Sequence, residues 1–427
     1  MKNLNRRCST PSDPPEIMAS ESSAAVTTPI YLDYCATTPV DRRVLEKMLP
    51  FFTDTFGNAA SRDHAFGWDA HEAVETARSA VAELVSAHPA DIIFTGSATE
   101  SINMAIQGTA MALRSSGNHI VTTAVEHHAV LATCSHLEKK GFEVTRLPVD
   151  GSGNLDLTQL ENALRPSTIL LAVMHANNET GVLFPIDEIA TIARKHGVRF
   201  FTDATQSAGK IPVDFNSRWV DCAAFSAHKF YGPKGIGALY LRNETIRKTL
   251  PPVIFGGGQE SGLRSGTHNV PAIVGFGEAC RIAREEMQNN AEHCRELRDT
   301  LEGQLTSRMN GITINGSSAP RLPHVSSVSF DSIDTRAFIR KIGSLAVSTA
   351  SACSSGISGT SQVLAAMGKP QKDIEGTIRI SLGRYTTREE IDRTVELLIG
   401  NIHERECSPG IRLRADRVYH NMVTDPR

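Results

Sequence analysis

The 427-residue chain lacks any apolar run near the roughly 20 residues that a membrane-spanning helix needs. Its best apolar stretches, such as residues 168–174, have the length of a buried strand. The net charge is also small, −3 with histidine neutral, so the chain has no excess of basic residues with which to bind a polyanion. We therefore expect a soluble protein that binds neither a membrane nor a nucleic acid directly.

The eight cysteines lack C-x-x-C pairs and any other spacing typical of metal ligands. In a chain of this length, scattered cysteines favour free thiols in a reducing compartment, so we predict a cytoplasmic protein without a bound metal. The first 28 residues lack the apolar core of a secretory signal. Their Ser, Thr and Pro content predicts a disordered extension, with a weak organellar presequence as the alternative.

Short apolar runs alternate with amphipathic helical stretches from about residue 40 to residue 240. This alternation predicts an α/β fold with a mainly parallel sheet, covered on both faces, and a ligand site beyond the carboxyl ends of the strands. A long charged helical stretch, residues 270–309, leads into a smaller unit that we predict to be α+β. The predicted strands of the first region are residues 91–96, 119–124, 142–147, 168–174, 198–204 and 222–227.

The segment AAFSAHKFYGPKG places Lys229 directly after a predicted buried strand. Desolvation and nearby positive charge lower the pKa of a lysine, and a neutral amine can form an imine with an aldehyde. Ser226 and His228 stand next to it and can hydrogen-bond a phosphate. The common alternative is an exposed loop lysine without a role, and only the surrounding residues argue against it.

Two more strand ends carry polar residues that suit a bound pyridine ring and a phosphate. In TDATQSAGK, Asp203 ends a strand and can pair with a protonated ring nitrogen, while Gln206 can donate to a phenolate oxygen. In FTGSATES, Thr99 begins a helix whose backbone N–H groups can hold an anion. Each alone has an ordinary alternative as a turn or capping residue.

Four further side chains suit the chemistry of an amino-acid substrate. His127 in VEHHAVL can stack on a flat ring and exchange protons, and Asn177 in MHANNETG can hydrogen-bond the ring or the substrate. The planar guanidinium of Arg379 suits an α-carboxylate. Cys353 stands in STASACSSGISGTSQ, a stretch of small residues that we predict to be mobile. Its thiolate can attack a substrate sulfur and carry it as a persulfide, the alternative being a chance exposed cysteine.

These motifs, in this order over about residues 29–403, resemble the NifS/IscS-type cysteine desulfurases of the class V aminotransferase group. The resemblance implies PLP fold type I, with a mainly parallel seven-stranded sheet in a large domain and a smaller α+β C-terminal domain. It implies an N-terminal segment, residues 29–40, that packs with the small domain. The large domain is then 41–285, the small domain with the cysteine loop 286–405, and the tail 406–427, after an extension of residues 1–28.

The resemblance also implies the cofactor, the substrate and the roles of the site residues. The cofactor is PLP, held as a Schiff base on Lys229, and L-cysteine gives L-alanine while its sulfur becomes a persulfide on Cys353. Thr267 then reaches the site of the other subunit in a homodimer. The other cofactor contacts that it implies are Ala98, Thr99, His127, Asp203, Gln206, Ser226 and His228, and the substrate contacts are Asn177 and Arg379.

Three points stay open at this stage. The chain lacks the SPLWEM ending by which housekeeping members contact their cluster scaffold, which argues against iron–sulfur scaffold delivery and favours a specialised or degenerate sulfur pathway. The acceptor is left open among iron–sulfur assembly, tRNA or DNA thio-modification, and other sulfur pathways. Cys35 stands where Ser or Ala is usual and is either a second thiol near the site or a small filler. The alternative activities are those of a selenocysteine lyase or another class V enzyme and, more remotely, a non-catalytic sulfur carrier or scaffold.

Overall fold

The computed structural model describes residues 29–217, 219–331, 333–349 and 360–406. The predicted extension 1–28, the predicted thiol Cys353 and the tail from residue 407 lie outside these ranges. The described strands are β1 (Ile30–Tyr31), β2 (Ile92–Thr95), β3 (His119–Thr123), β4 (Glu143–Leu147), β5 (Thr168–Ala172), β6 (Arg199–Asp203), β7 (Cys222–Ser226), β8 (Gly237–Leu241), β9 (Ile312–Ile314), β10 (Val325–Phe330), β11 (Leu345–Ala346), β12 (Ser348–Thr349) and β13 (Thr377–Ser381).

The α-helices in the same ranges account for most of the amphipathic stretches predicted from the sequence. They are α1 (Arg42–Met48), α2 (Pro50–Thr53), α3 (Ala65–Leu84), α4 (Ala98–Ala112), α5 (His128–Glu138), α6 (Leu157–Ala163), α7 (Ile186–Lys195), α8 (Glu244–Thr249), α9 (Val270–Arg308), α10 (Thr335–Ile342), α11 (Gln362–Ala366), α12 (Gln371–Glu375) and α13 (Arg388–Glu406). Within the described chain, none of these helices is both long and apolar enough to cross a membrane.

The central sheet has seven strands in the order β2-β8-β7-β6-β5-β3-β4. β8 is antiparallel to both of its neighbours, and the other pairs are parallel. Since β2 and β7 both oppose β8, six strands point the same way and their carboxyl ends meet at one edge. The predicted mainly parallel sheet is therefore confirmed, and β8 is the strand that the sequence analysis did not identify.

Helices cover both faces of this sheet, and consecutive strand residues point to opposite faces. In β6, for example, Phe200 packs in the core that includes α3, α7 and the first part of α9, whereas Phe201 packs in the core that includes α4 and α5. Both rings are only 1% exposed. Burial of both faces explains why the strands read as continuous apolar runs rather than as alternating ones.

The smaller unit is a four-stranded antiparallel sheet in the order β12-β13-β10-β9. It shares one apolar core with α10, α13 and the second part of α9, from Cys294 onward. α9 thus joins both cores, and the predicted domain boundary at 285/286 falls between its two packed stretches. The N-terminal strand β1 belongs to this side, because it pairs with β11 and Asp33 bridges to Ser381 of β13.

Candidate active site

A cavity of about 140 Å³ opens at the edge where the six strands end. Its walls are the segments that follow β2, β3, β5, β6 and β7, so residues far apart in the chain meet there. The lining residues are Ser97, Ala98, Thr99, Ile102, His127, Met174, Ala176, Asn178, Asp203, Thr205, Gln206, Ser226, His228 and Lys229. All the cofactor residues predicted from the sequence, apart from Thr267, are therefore brought together in one place.

Lys229 ends a short 3-10 turn that follows the fully buried strand β7. Its Nζ donates hydrogen bonds to the carbonyl oxygens of Cys35 at 2.7 Å and Ala36 at 2.9 Å. Desolvation lowers the pKa of this amine to about 8, and the nearby Arg379 acts in the same direction. A substantial fraction of the amine is thus neutral near physiological pH, as imine formation requires.

Asp203 and Gln206 follow β6 at the same edge of the sheet. Asp203 is only 5% exposed, and its Oδ1 accepts a hydrogen bond from Thr205 N at 2.9 Å. Gln206 is also buried and donates from Nε2 to the carbonyl oxygen of Cys35 at 3.1 Å. The same carbonyl accepts from Lys229, so one backbone oxygen aligns the amide and the amine.

His127 lies just before α5 and caps its first turn. Its Nδ1 accepts a hydrogen bond from Ala129 N at 3.1 Å, so in the neutral ring the proton is on Nε2. Desolvation lowers the pKa of His127, while the nearby Asp203 carboxylate opposes that shift. The ring is therefore mainly neutral at physiological pH, with one nitrogen committed to the backbone and the other able to donate a hydrogen bond.

The end of the cavity formed by the start of α4 suits a phosphate group. Ser97 caps α4 by accepting from Glu100 N at 3.2 Å, and Ala98 and Thr99 form the first helical turn, where unpaired N–H groups favour an anion. A Cβ on Gly237 of β8 would lie 2.7 Å from the carbonyl carbon of Ser97, so only glycine lets α4 begin this close to the sheet.

Ser226 and His228 add polar side chains to this anion-binding end. Ser226 Oγ donates to the carbonyl oxygen of Ile236 at 3.1 Å, and Nδ1 of His228 lies 3.1 Å from Thr37 Oγ1. Desolvation and the nearby lysines, Lys229 and Lys234, lower the pKa of His228 to about 4. His228 is therefore a neutral hydrogen-bonding group at physiological pH rather than a charge.

Asn178, and not the predicted Asn177, lines the cavity. Nδ2 of Asn177 donates to the carbonyl oxygen of Val125 at 3.1 Å, and its Oδ1 accepts from the backbone N–H groups of Glu179 and Thr180. Asn177 thus stabilises its own turn, and Asn178 lines the cavity instead. This corrects the placement by one residue. Alternate positions after β5 face the cavity, and this period of two would have identified Asn178.

Arg379, on β13, reaches the cavity wall from the small domain. Its Nη1 donates to the carbonyl oxygen of Asn178 at 2.8 Å, and its Nη2 donates to Asp33 Oδ1 at 2.7 Å and to Ser348 Oγ at 3.0 Å. The guanidinium group is buried at the junction of three separate segments. It therefore lies directly behind Asn178 and next to the cavity.

Thr267 is exposed and does not line this cavity in the described chain. The ion pair between Arg264 and Glu100, 2.8 Å long, holds the preceding residues beside the first turn of α4. Thr267 is therefore on the same side of the molecule as the cavity but faces outward. Cys353 lies in the gap between residues 349 and 360, where the structure describes no position.

The residues present fit PLP. The cavity combines a partly neutral lysine, a buried carboxylate, a helix start with neutral donors for a phosphate, and a histidine at the wall. In addition, the buried Oγ1 of Thr205 has no hydrogen-bond partner among the described residues. Within the same residues, no group of three or more side chains suits a metal ion.

Comparisons with known proteins agree with this site. A model of the aminotransferase class-V family matches residues 30–394. The cysteine desulfurase IscS of Anaeromyxobacter sp. (strain Fw109-5) is 51% identical, with 89% of this chain and 94% of that protein covered. IscS of Pectobacterium carotovorum subsp. carotovorum (strain PC1) is 49% identical, with coverages of 89% and 95%.

Solved structures show the same likeness over nearly the whole fold. A NifS-like protein superposes with a TM-score of 0.81 at 39% identity, covering 87% of this chain and 100% of that one. The structure of SspA in complex with cysteine superposes with a TM-score of 0.72 at 36% identity, covering 84% of this chain and 99% of that one.

The chain therefore belongs to the class-V aminotransferase family, whose cofactor is PLP. Within that family it belongs to the IscS-type cysteine desulfurases. The predicted family, PLP fold type I and PLP as cofactor are thereby confirmed.

Proposed function

We propose that this enzyme converts L-cysteine to L-alanine and transfers the sulfur to Cys353 as a persulfide. The observation that carries the proposal is the cavity itself, which Lys229, Asp203 and His127 line together. The pKa of the Lys229 amine in this cavity is about 8. The cysteine bound in the SspA structure supports the same substrate class for this chain.

Lys229 is the group that moves a proton at the α-carbon of the substrate. PLP, when bound, withdraws electrons from that carbon and so makes its proton removable. An amine with a pKa of about 8 can both accept and return a proton near neutral pH. The carbonyl oxygens of Cys35 and Ala36 hold the released amine at a defined place beside the cavity.

The other cavity residues orient the reactants. Asp203 suits the ring nitrogen and Gln206 the phenolate oxygen, while the first turn of α4, together with Ser226 and His228, suits the phosphate. We assign the α-carboxylate of the substrate to Arg379 and to Asn178, which takes the role first given to Asn177.

Sulfur transfer requires a thiolate and a proton. The Cys353 thiolate attacks the substrate sulfur, an S–S bond forms as the carbon–sulfur bond breaks, and the electron pair goes to the carbon, which is then protonated to give alanine. Nε2 of His127 is the ring nitrogen left for this step, and the imidazolium form can deliver the proton from it.

We further propose a homodimer in a reducing, cytoplasmic compartment. Large apolar side chains are exposed on α2, on α3, in the loop between them and in the loop before Thr267, including Phe56 at 64% and Phe255 at 81%. A second copy covering this surface would bring its Thr267 to the phosphate end of the cavity. The five cysteines within the described ranges are free and buried, which suits a reducing environment.

A thiol-deletion experiment tests the proposed mechanism. Purified enzyme is incubated with L-cysteine, and alanine and sulfide are measured together. Cys353→Ala should lose sulfur transfer, whereas Cys35→Ala, which removes a buried thiol 3.7 Å from His324 Nε2, should retain it. A Cys353→Ala enzyme as fast as wild type would refute the thiol mechanism. The same assay with L-selenocysteine distinguishes a cysteine desulfurase from a selenocysteine lyase. Adding candidate carrier proteins and measuring their persulfide identifies the sulfur acceptor.

A further inference from the structure

A short N-terminal segment, residues 33–38, contacts residues on both sides of the cavity. On the large-domain side, the Cys35 carbonyl oxygen accepts from Lys229 and Gln206, and Thr37 lies within hydrogen-bond distance of His228. On the other side, Asp33 accepts from Arg379. This segment therefore joins the lysine that carries the cofactor to the arginine assigned to the substrate.

Among the described acceptors of the Arg379 guanidinium, Asp33 brings a formal negative charge. Two other acceptors are the backbone carbonyl of Asn178 and the hydroxyl of Ser348, both neutral. The Asp33 contact is 2.7 Å long, and the side chains of Arg379 and Asp33 are 7% and 20% exposed. A charged hydrogen bond with so little water around it is stronger and more directional than its neutral neighbours.

The backbone holds Asp33 in register with Arg379. Asp33 forms a parallel bridge with Ser381, two residues along β13 from Arg379, and Cys35 N donates to Ser381 Oγ at 2.9 Å. Tyr31 Oη donates to the carbonyl oxygen of Asp33 at 3.1 Å. The carboxylate is thus fixed against the same strand that carries the arginine, so it can set the direction of the guanidinium group.

We propose that Asp33 is a positioning residue for substrate recognition, which orients Arg379 toward the carboxylate of the amino acid. This inference rests on the proposed role of Arg379. Asp33 does not touch the substrate itself. Its removal should weaken binding of ligands that carry an α-carboxylate and leave binding of simple amines unchanged.

The test compares two ligands of the holoenzyme, L-alanine and ethylamine, which lacks the carboxylate. Their dissociation constants are measured from the change in the visible absorption of the bound cofactor. For Asp33→Ala we expect the dissociation constant of L-alanine to rise about fivefold to tenfold, and that of ethylamine to change less than about twofold. Asp33→Asn keeps the acceptor oxygen but loses the charge, so the dissociation constant of L-alanine should rise about twofold to threefold relative to that of ethylamine.

Two control variants make the result decisive. Asp91→Ala breaks the half-buried pair of Asp91 and Arg247 away from the cavity and should change neither dissociation constant. If Arg379→Ala leaves the ratio of the two constants unchanged, the proposed role of Arg379 fails. If Arg379→Ala shifts the ratio and the Asp33 variants do not, or if they weaken both ligands equally, the inference about Asp33 alone is overturned. If Asp33→Ala fails to fold, the ratio of the two dissociation constants in Asp33→Asn decides the question in the same way.

Discussion

The two sides of the cavity are built in different ways. On the large-domain side, each functional residue follows a strand within a few positions: His127 after β3, Asp203 at the end of β6, and Lys229 after β7. On the other side, Arg379 is positioned by Asp33, 346 residues away in the sequence. The first side depends on local strand order in one sheet, whereas the second depends on how two cores meet.

This difference predicts different consequences of mutation. His127 and Asp203 are held by short local contacts and Lys229 by two backbone carbonyls of the N-terminal segment, so removing one of these side chains should affect chemistry and leave the fold intact. Residues at the junction are held by one another, so removing one should shift its partners. The Asp33 and Arg379 variants described above test the junction side, and four further measurements test the large-domain side.

Lys229→Ala should abolish turnover, with a loss of at least about 10³-fold in kcat, because no other group at this strand end can take the α-proton. The matched control is Lys234→Ala, five residues further along and exposed, which should stay within a few fold of wild type. Both are measured by alanine release from L-cysteine, together with circular dichroism to verify the fold. More than a tenth of wild-type activity in Lys229→Ala would contradict the assignment.

His127→Gln should lower kcat by about 10²-fold, because glutamine can hydrogen-bond but cannot exchange a proton. The adjacent His128→Gln is the control, since His128 is exposed and does not line the cavity. It should change kcat less than about threefold. Equal losses in both variants would mean that the start of α5, rather than the imidazole of His127, had been disturbed.

The adjacent asparagines offer a sharper comparison within one loop. Asn178→Ala should raise KM for L-cysteine about fivefold, with little change in stability, because it removes a cavity side chain. Asn177→Ala should instead lower the unfolding free energy by about 1–3 kcal/mol, because it leaves buried backbone groups of the turn without partners. Steady-state kinetics and urea denaturation of both variants separate the effects, and the reverse pattern would restore Asn177 to the site.

Sequence reasoning reached most of the large-domain side because strand order alone determines it. Six strands read as apolar runs, and parallel strands necessarily bring their carboxyl ends together, so Asp203 and Lys229 could be placed without tertiary information. The misplacement of Asn177 came from treating the loop after β5 as a motif, although its extended backbone alternates faces.

The junction side was less accessible to sequence reasoning. On the large-domain side the exception was β8, whose residues follow the Gly-rich segment after Lys229 and were read together with it, although β8 pairs with both β2 and β7. The contact between Asp33 and Arg379 depends on β1 reaching the small sheet, which no local pattern indicates. The contact of Asp33 with Arg379 is therefore visible only in the three-dimensional structure. Arg379 itself was predicted from the sequence, because a guanidinium group suits an α-carboxylate.

Glu126 is a buried carboxyl group whose ionisation would destabilise the fold. This residue, one position before His127, accepts at Oε1 from Thr123 Oγ1 at 2.8 Å and from Met174 N at 2.9 Å, which ties the end of β3 to the segment after β5. Burial raises the pKa of its carboxyl to about 8, against the opposing effect of both hydrogen bonds. The folded protein therefore keeps this carboxyl protonated at neutral pH.

Glu126→Gln should remove a pH dependence of stability. Between pH 4.5, the ordinary pKa of the side chain, and about pH 8, the folded state binds a proton that the unfolded state lacks. The contribution is thus complete below pH 4.5 and is lost as the pH rises, by at most about 1.4 kcal/mol per pH unit. Urea denaturation at pH 5, 6, 7 and 8 should show wild type losing stability relative to Glu126→Gln, while the exposed control Glu46→Gln follows wild type. A constant difference across this range would mean that Glu126 is ionised in the fold.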